Sequence, residues 1–199
     1  SVTPILQSGT HFAQRYVHDF ETLAKLVEKL KQQDLRVVLT QGVYDLIHEG
    51  HAKYLELAKS HGDVLIVGVD SDELTRLRKG KGRPIVPQEE RVQMLVHLRH
   101  VDLVIIREAK HDIGDLIRVV RPDVLVTSSG TIDFNRDLAT NKKMRQEYEA
   151  LCGEILVLEP QATTSTSARI RDLTIEGAEK LAGEINQLTR DFINKIRAS

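Results

Sequence analysis

Five short runs of apolar residues, continuous rather than alternating, constrain this chain more than any other feature. They lie at 35–40, 64–69, 103–106, 124–126 and 155–158 and are rich in Val, Ile and Leu. A strand with one wet face alternates apolar and polar side chains, whereas a strand covered on both faces stays apolar throughout. Helical patterns separate the runs, at about 51–60, 88–98, 113–120 and 135–151. Strand, helix, strand, repeated, requires right-handed crossovers and a parallel sheet. The expected fold class is therefore α/β: a Rossmann-like, doubly wound parallel sheet of about five strands, with extra N- and C-terminal helices. Ligands in such sheets bind beyond the carboxyl ends of the strands.

The flanks read differently. From Phe12 to Gln33, Phe20, Leu23, Leu26, Val27 and Leu30 recur at helical spacing, with Asp19 or Glu21 near the start of a leading amphipathic helix. After 173, Ala178, Leu181, Ile185, Leu188 and Phe192 follow a three-four spacing. Such a stripe packs on its own domain or forms a homodimer contact. The expected organisation is an extension and helix over 1–34, a catalytic domain over 35–173, and a C-terminal helix over 174–199.

Charge and cysteine usage narrow the function classes. The formal net charge is -1, so no global basic field draws the chain to nucleic acid or an anionic membrane. No apolar run reaches the ~18 residues of a membrane span, and residues 1–10 lack the pattern of a signal peptide. The single cysteine, Cys152, can form no intrachain disulfide, which fits a cytoplasmic chain with a buried, inert thiol.

The first strand runs into Gly42-Val43-Tyr44-Asp45-Leu46-Ile47-His48-Glu49-Gly50-His51. A strand thus feeds a short loop and then a helix starting near His48 to His51. Helix starts present unpaired N–H groups and a positive dipole end, both suited to phosphate. Gly42 and Gly50 permit close backbone approach. His48 and His51, three apart, can face one pocket and donate to charge growing on phosphates. A zinc pair at this spacing would need further ligands, and no Cys or His cluster supplies them, so no metal-ligating residue is expected. His97 and His100 sit mid-helix, far from any strand end, and read as structural.

These residues carry a resemblance. Gly42, Tyr44, Asp45, His48, Gly50 and His51 are similar to the signature of the HxGH nucleotidyltransferase superfamily, the cytidylyltransferase-like group. The segment 63–73, the loop 76–84, the pair Glu90-Arg91, the run 121–126 and the hydroxyl segment 163–167 continue it, so that it covers roughly 35–173. Segment order resembles the adenylyltransferase half of ADP-heptose synthases, and the Ser-Thr-Ser segment is equally similar to choline- and glycerol-phosphate cytidylyltransferases. Two segments depart: Thr127-Ser128-Ser129-Gly130 replaces a charged sequence, and Gln161-Ala162 stands where cytidylyltransferases place an arginine.

The resemblance implies a nucleotidyltransferase moving AMP or CMP from ATP or CTP, with Mg2+, to a small phosphorylated acceptor, with pyrophosphate released. His48, His51 and Lys79 would be catalytic. Gly42, Val43, Tyr44, Asp45, Gly50, Arg91, Ser128, Ser129, Ser165, Thr166 and Ser167 would bind nucleotide. The loop 76–83 carries five cations in eight residues and reads as a flexible cationic loop, with Lys81 and Arg83 helping to bind the acceptor. The alternatives are an adenylyltransferase acting on FMN or nicotinamide mononucleotide, and a nucleotide-binding regulator without turnover.

Overall fold

The computed structural model describes residues 12–129, 142–161 and 166–197. Two compact units divide at Gln161. The first is a sheet with helices on both faces. The five expected strands are present as β2 (Val37–Gly42), β3 (Val64–Asp70), β4 (Leu103–Arg107), β5 (Val124–Ser128) and β6 (Glu154–Leu158). A two-residue strand, β1 (Tyr16–Val17), adds an edge beside β4, giving the order β1-β4-β3-β2-β5-β6 with every pairing parallel. The chain builds outward from β2 to β3 and β4, then returns to the other side of β2 for β5. The switch point therefore lies between β2 and β5, at the carboxyl end of Gly42.

The helices of this unit are α1 (Phe12–Arg15), α2 (Phe20–Lys31), α3 (Glu49–Lys59), α4 (Asp72–Lys79), α5 (Gln88–His97), α6 (Asp115–Val120) and α7 (Lys142–Leu151). Alternate residues of each strand feed opposite cores, because side chains alternate faces along a strand. Val37, Leu39, Ile66, Ile105 and Leu125 pack with Leu23, Val27, Leu116 and Ile117. Val38, Leu65, Val67, Val69 and Val126 pack on the other face with Leu55, Val92 and Leu95. Cys152 is 7% exposed, and burial raises its thiol pKa to about 11, so the thiol is inert as expected.

Two local expectations are corrected. The amphipathic pattern from Phe12 is broken: Asp19 caps α2 by accepting the Thr22 N–H at 2.7 Å, and Tyr16 and Val17 leave the helix to pair with β4. Arg15 reinforces this by donating to the carbonyls of Val96 and Val101 at 3.1 and 3.2 Å. The cationic stretch from Arg76 to Lys79 is not a loop but the last turns of α4. The Ser71 hydroxyl accepts the Leu74 N–H at 3.1 Å, and Asp72 and Glu73 complement the helix start.

The second unit is the single helix α8 (Thr166–Arg197), which passes through 174 without a break. Its stripe of Leu181, Ile185, Leu188 and Phe192 is exposed. No helix among the described residues is long and apolar enough to cross a membrane.

Candidate active site

The carboxyl end of β2 delivers the chain into a tight loop. Tyr44 and Leu46 both take positive φ, 55° and 48°, an uncommon conformation for bulky residues. A Cβ on Gly42 would stand 3.1 Å from the Tyr44 ring, so glycine there lets the ring fold back into the core. Tyr44 is buried, and its ring centroid lies 5.7 Å from that of His51.

The loop ends in a reciprocal cap built from the two histidines. His48 is the N-cap of α3, with extended φ and ψ of -139° and 177°. Its Nδ1 accepts the Gly50 N–H at 3.0 Å, while the His51 Nδ1 accepts the His48 N–H at 3.3 Å. A nitrogen that accepts carries no proton, so both rings are held as the neutral tautomer protonated on Nε2. The ring centroids are 4.1 Å apart. Burial, the neighbouring His48 and the Lys79 ammonium lower the His51 pKa to about 4, and Asp45 only partly opposes them. The pair is thus two neutral N–H donors at a helix start, which suits an anion.

Lys79 closes α4 just ahead of Gly80, whose φ is 95°. Its pKa is lowered, first by burial of the ammonium and then by Arg83. The Lys79 charge reaches His51, and Lys79 in turn feels Arg83, Asp70, Arg78 and Asp45.

Several anticipated ligands also tie the loops of the first unit together. Asp45 is 3% exposed; its carboxylate accepts the Ile85 N–H at 3.0 Å and the Val86 N–H at 2.9 Å, and stands 3.0 Å from the Arg83 Nε. It latches the loop after α4 to the loop after β2. Arg83 is therefore held by Asp45, while Lys81 is exposed. Replacing Asp45 with Ala should speed hydrogen exchange at the Ile85 and Val86 amides at least ~10-fold, because charge-assisted bonds are removed. Unchanged protection would show that the latch is unnecessary.

Arg91 is the most fully engaged of them. It is 1% exposed, and its guanidinium donates to Val86 O at 2.9 Å, Val43 O at 2.6 Å, Asp70 O at 2.7 Å and Asp72 Oδ1 at 2.7 Å. A fork so occupied has little left to offer a phosphate. Val43 enters the site through this carbonyl.

A second buried cluster went unforeseen in the sequence reading. Asp70, fully buried at the end of β3, holds Arg107 from β4 through Oδ1 and Arg78 from α4 through Oδ2, at 2.5 and 2.9 Å. The signal lay in strand register: Asp70 pairs directly with Arg107. On the other side of the switch point, Ser128 ends β5 and Ser129 follows it. The Ser129 hydroxyl donates to Glu159 at 3.0 Å. Ser165 lies outside the described residues; Thr166 and Ser167 begin α8 in the second unit. His97 and His100 lie where α5 leads into β4, at the opposite edge of the sheet, and His100 faces Glu56 at 3.7 Å. No group of three or more His, Cys, Asp or Glu among the described residues is placed to hold a metal ion.

Comparison with known proteins agrees with this geometry. The model of the cytidylyltransferase-like family matches residues 39–172. The bifunctional protein HldE of Desulfatibacillum aliphaticivorans is 36% identical over 157 residues, covering 79% of this chain and 30% of that protein. HldE of Aliarcobacter butzleri is 34% identical over 160 residues, covering 79% of this chain and 31% of its own. The chain thus spans about a third of the length of these curated relatives. Among solved structures, the lipopolysaccharide core biosynthesis protein of Thermoplasma volcanium superposes with a TM-score of 0.52 at 26% identity, covering 63% of this chain and 98% of that one. Pantoate-beta-alanine ligase of Francisella tularensis, at 14% identity and a TM-score of 0.55, covers 77% of this chain and 69% of its own and shares the fold. With the family model matched from β2 into α8 and the His48–His51 cap within it, the chain belongs to the cytidylyltransferase-like family of nucleotidyltransferases.

Proposed function

We propose that this chain transfers AMP or CMP from ATP or CTP to a small phosphorylated acceptor and releases pyrophosphate. The observation that carries the reading is the reciprocal histidine cap, which sets two neutral Nε2–H donors at the start of α3, with the Lys79 charge acting on His51. An acceptor phosphate oxygen is already anionic and needs no strong base. It attacks the α-phosphorus in line, the bond to the β-phosphate bridging oxygen breaks, and pyrophosphate departs with those electrons. No covalent enzyme intermediate forms. The protein's part is positioning and charge stabilisation. His48 and His51 donate to the α-phosphate and the leaving group, and Lys79 bridges donor and acceptor. Asp45 and Arg91 fix the loops that carry them, and Ser165, Thr166 and Ser167 remain proposed ligands of the triphosphate tail.

Magnesium bound with the triphosphate would offset the charge of its phosphates. The buried carboxylates nearest the site, Asp45 and Asp70, are already engaged by arginines. The segment order like that of the adenylyltransferase half of ADP-heptose synthases favours ATP and a sugar phosphate. On this reading the transfer domain spans 35–173 of a cytoplasmic enzyme, and the exposed stripe on α8 fits a homodimer contact.

The test is pyrophosphate release with ATP, CTP, GTP and UTP against sugar phosphates, polyol phosphates, choline phosphate, FMN and nicotinamide mononucleotide. Turnover with one donor and one acceptor, lost in His48→Ala, is the expected result. Turnover that survives His48→Ala would remove the histidine pair from the mechanism. Tight triphosphate binding with silence across the panel would favour the regulator.

A further inference from the structure

Charge is divided across the switch point. Arg78 and Lys79 follow β3, Arg107 closes β4, and the cap of α3 follows β2. The described residues that end β5 and β6 carry no cation: Thr127, Ser128 and Ser129 on one strand, Leu158 and Glu159 on the other. Phosphates belong on the cationic side, and a carboxylate repels them from the other. A nucleotide that spans the switch point therefore lays its uncharged end, the base, over β5 and β6.

Among the described residues that close these two strands, Glu159 is the one carboxylate, and its place is built. The Ser129 N–H donates to Leu158 O at 2.8 Å, joining the two strand ends. The Ser129 hydroxyl orients the Glu159 carboxylate at 3.0 Å, and the Gln161 amide donates to the Glu159 carbonyl at 2.7 Å, closing the turn. The carboxylate stays exposed, so one oxygen is oriented by serine while the group remains open to a ligand.

We propose that Glu159, oriented by Ser129, reads the base of the nucleoside triphosphate by accepting a hydrogen bond from an exocyclic amine. The inference rests on the transfer reading above. Adenine, cytosine and guanine each carry such an amine, while uracil and hypoxanthine carry none. A carboxylate that accepts only meets a keto oxygen as another acceptor and rejects it. An amine bonded to a charged acceptor is worth roughly tenfold or more in affinity.

The experiment is calorimetry on the full chain with Mg2+ and five nucleotides in three pairs that differ by the amine: ATP against ITP, GTP against ITP, and CTP against UTP. Inorganic tripolyphosphate serves as a base-free control. In the unaltered chain, one amine-bearing nucleotide should bind at least ~10-fold tighter than its amine-free counterpart, and the pair that shows the gap names the base. Glu159→Ala should collapse that gap toward unity while tripolyphosphate binds as before, and Ser129→Ala should shrink it in part. An equal gap in the unaltered chain and Glu159→Ala overturns the assignment, as does the lack of any gap when nucleotides bind well. If neither the nucleotides nor tripolyphosphate bind, the transfer reading itself fails and Glu159 falls with it.

Discussion

Replacing Arg91 with Ala is expected to destabilise the first unit by ~3–5 kcal/mol, the range for removing one partner of a buried ion pair. Its guanidinium serves four oxygens from four places: Val43 after β2, Asp70 at the end of β3, Asp72 at the start of α4 and Val86 ahead of α5. Truncation leaves three carbonyls and a carboxylate that must find water or go without, and each buried group left unpaired costs about 1–3 kcal/mol. Lysine should recover only a minor part. A single ammonium has no fork and cannot reach acceptors spread around a plane. The measurement is the urea midpoint at constant slope, with pyrophosphate release assayed on the folded fraction. Stability within ~1 kcal/mol of the unaltered chain, with activity abolished, would restore Arg91 to the role of phosphate ligand that its place in the sequence implied.

That reversal shows where a sequence is legible and where it is not. The central strands could be read because double-sided burial writes itself into composition: the run 64–69 has no polar residue at all, whereas β6 has the same apolar run and is only partly covered, with Val157 54% exposed. The histidine pair could be read because a glycine-bracketed segment between a strand and a helix has few uses. Arg91 looked like a ligand because sequence cannot show that four acceptors converge on one side chain from positions 43 to 86. The latch at Asp45 was hidden for the same reason: its partners, Ile85 and Val86, lie 40 and 41 residues away. The break at Tyr16 escaped notice because its cause is tertiary. Two residues leave a helical pattern when β4 offers an open edge, and Arg15 anchors the departure to carbonyls of Val96 and Val101. Helix α4 was within reach, since Ser71-Asp72-Glu73 is a helix start, but its basic last turns disguised it as a loop.

The largest kinetic effect should come from the cap itself. His48→Ala and His51→Ala are each expected to lower kcat by ~10²–10³-fold, the cost of losing one donor aimed at developing charge. Alanine also breaks the cap, worth about 0.5–2 kcal/mol of stability, so the two roles need separating. His48→Asn does so: asparagine is a good N-cap that can accept the Gly50 N–H, yet its side chain lacks the Nε2–H donor. It should restore stability and leave kcat low. If His48→Asn recovers turnover along with stability, the ring serves the helix and not the phosphates. Titration gives a second, independent check on His51. With the folded value near 4 against an ordinary 6.5, the unfolded chain takes up the proton first as pH falls. The stability tied to neutral His51 is therefore complete above about pH 6.5 and drains away as pH drops toward 4. An NMR titration should find the ring neutral and protonated on Nε2 at pH 7, with its midpoint near 4, and His48→Ala should raise that midpoint by removing the neighbouring ring. A midpoint near 6.5 would make the pair an ordinary titrating couple, cationic in mild acid, and would undo the case for neutral donors.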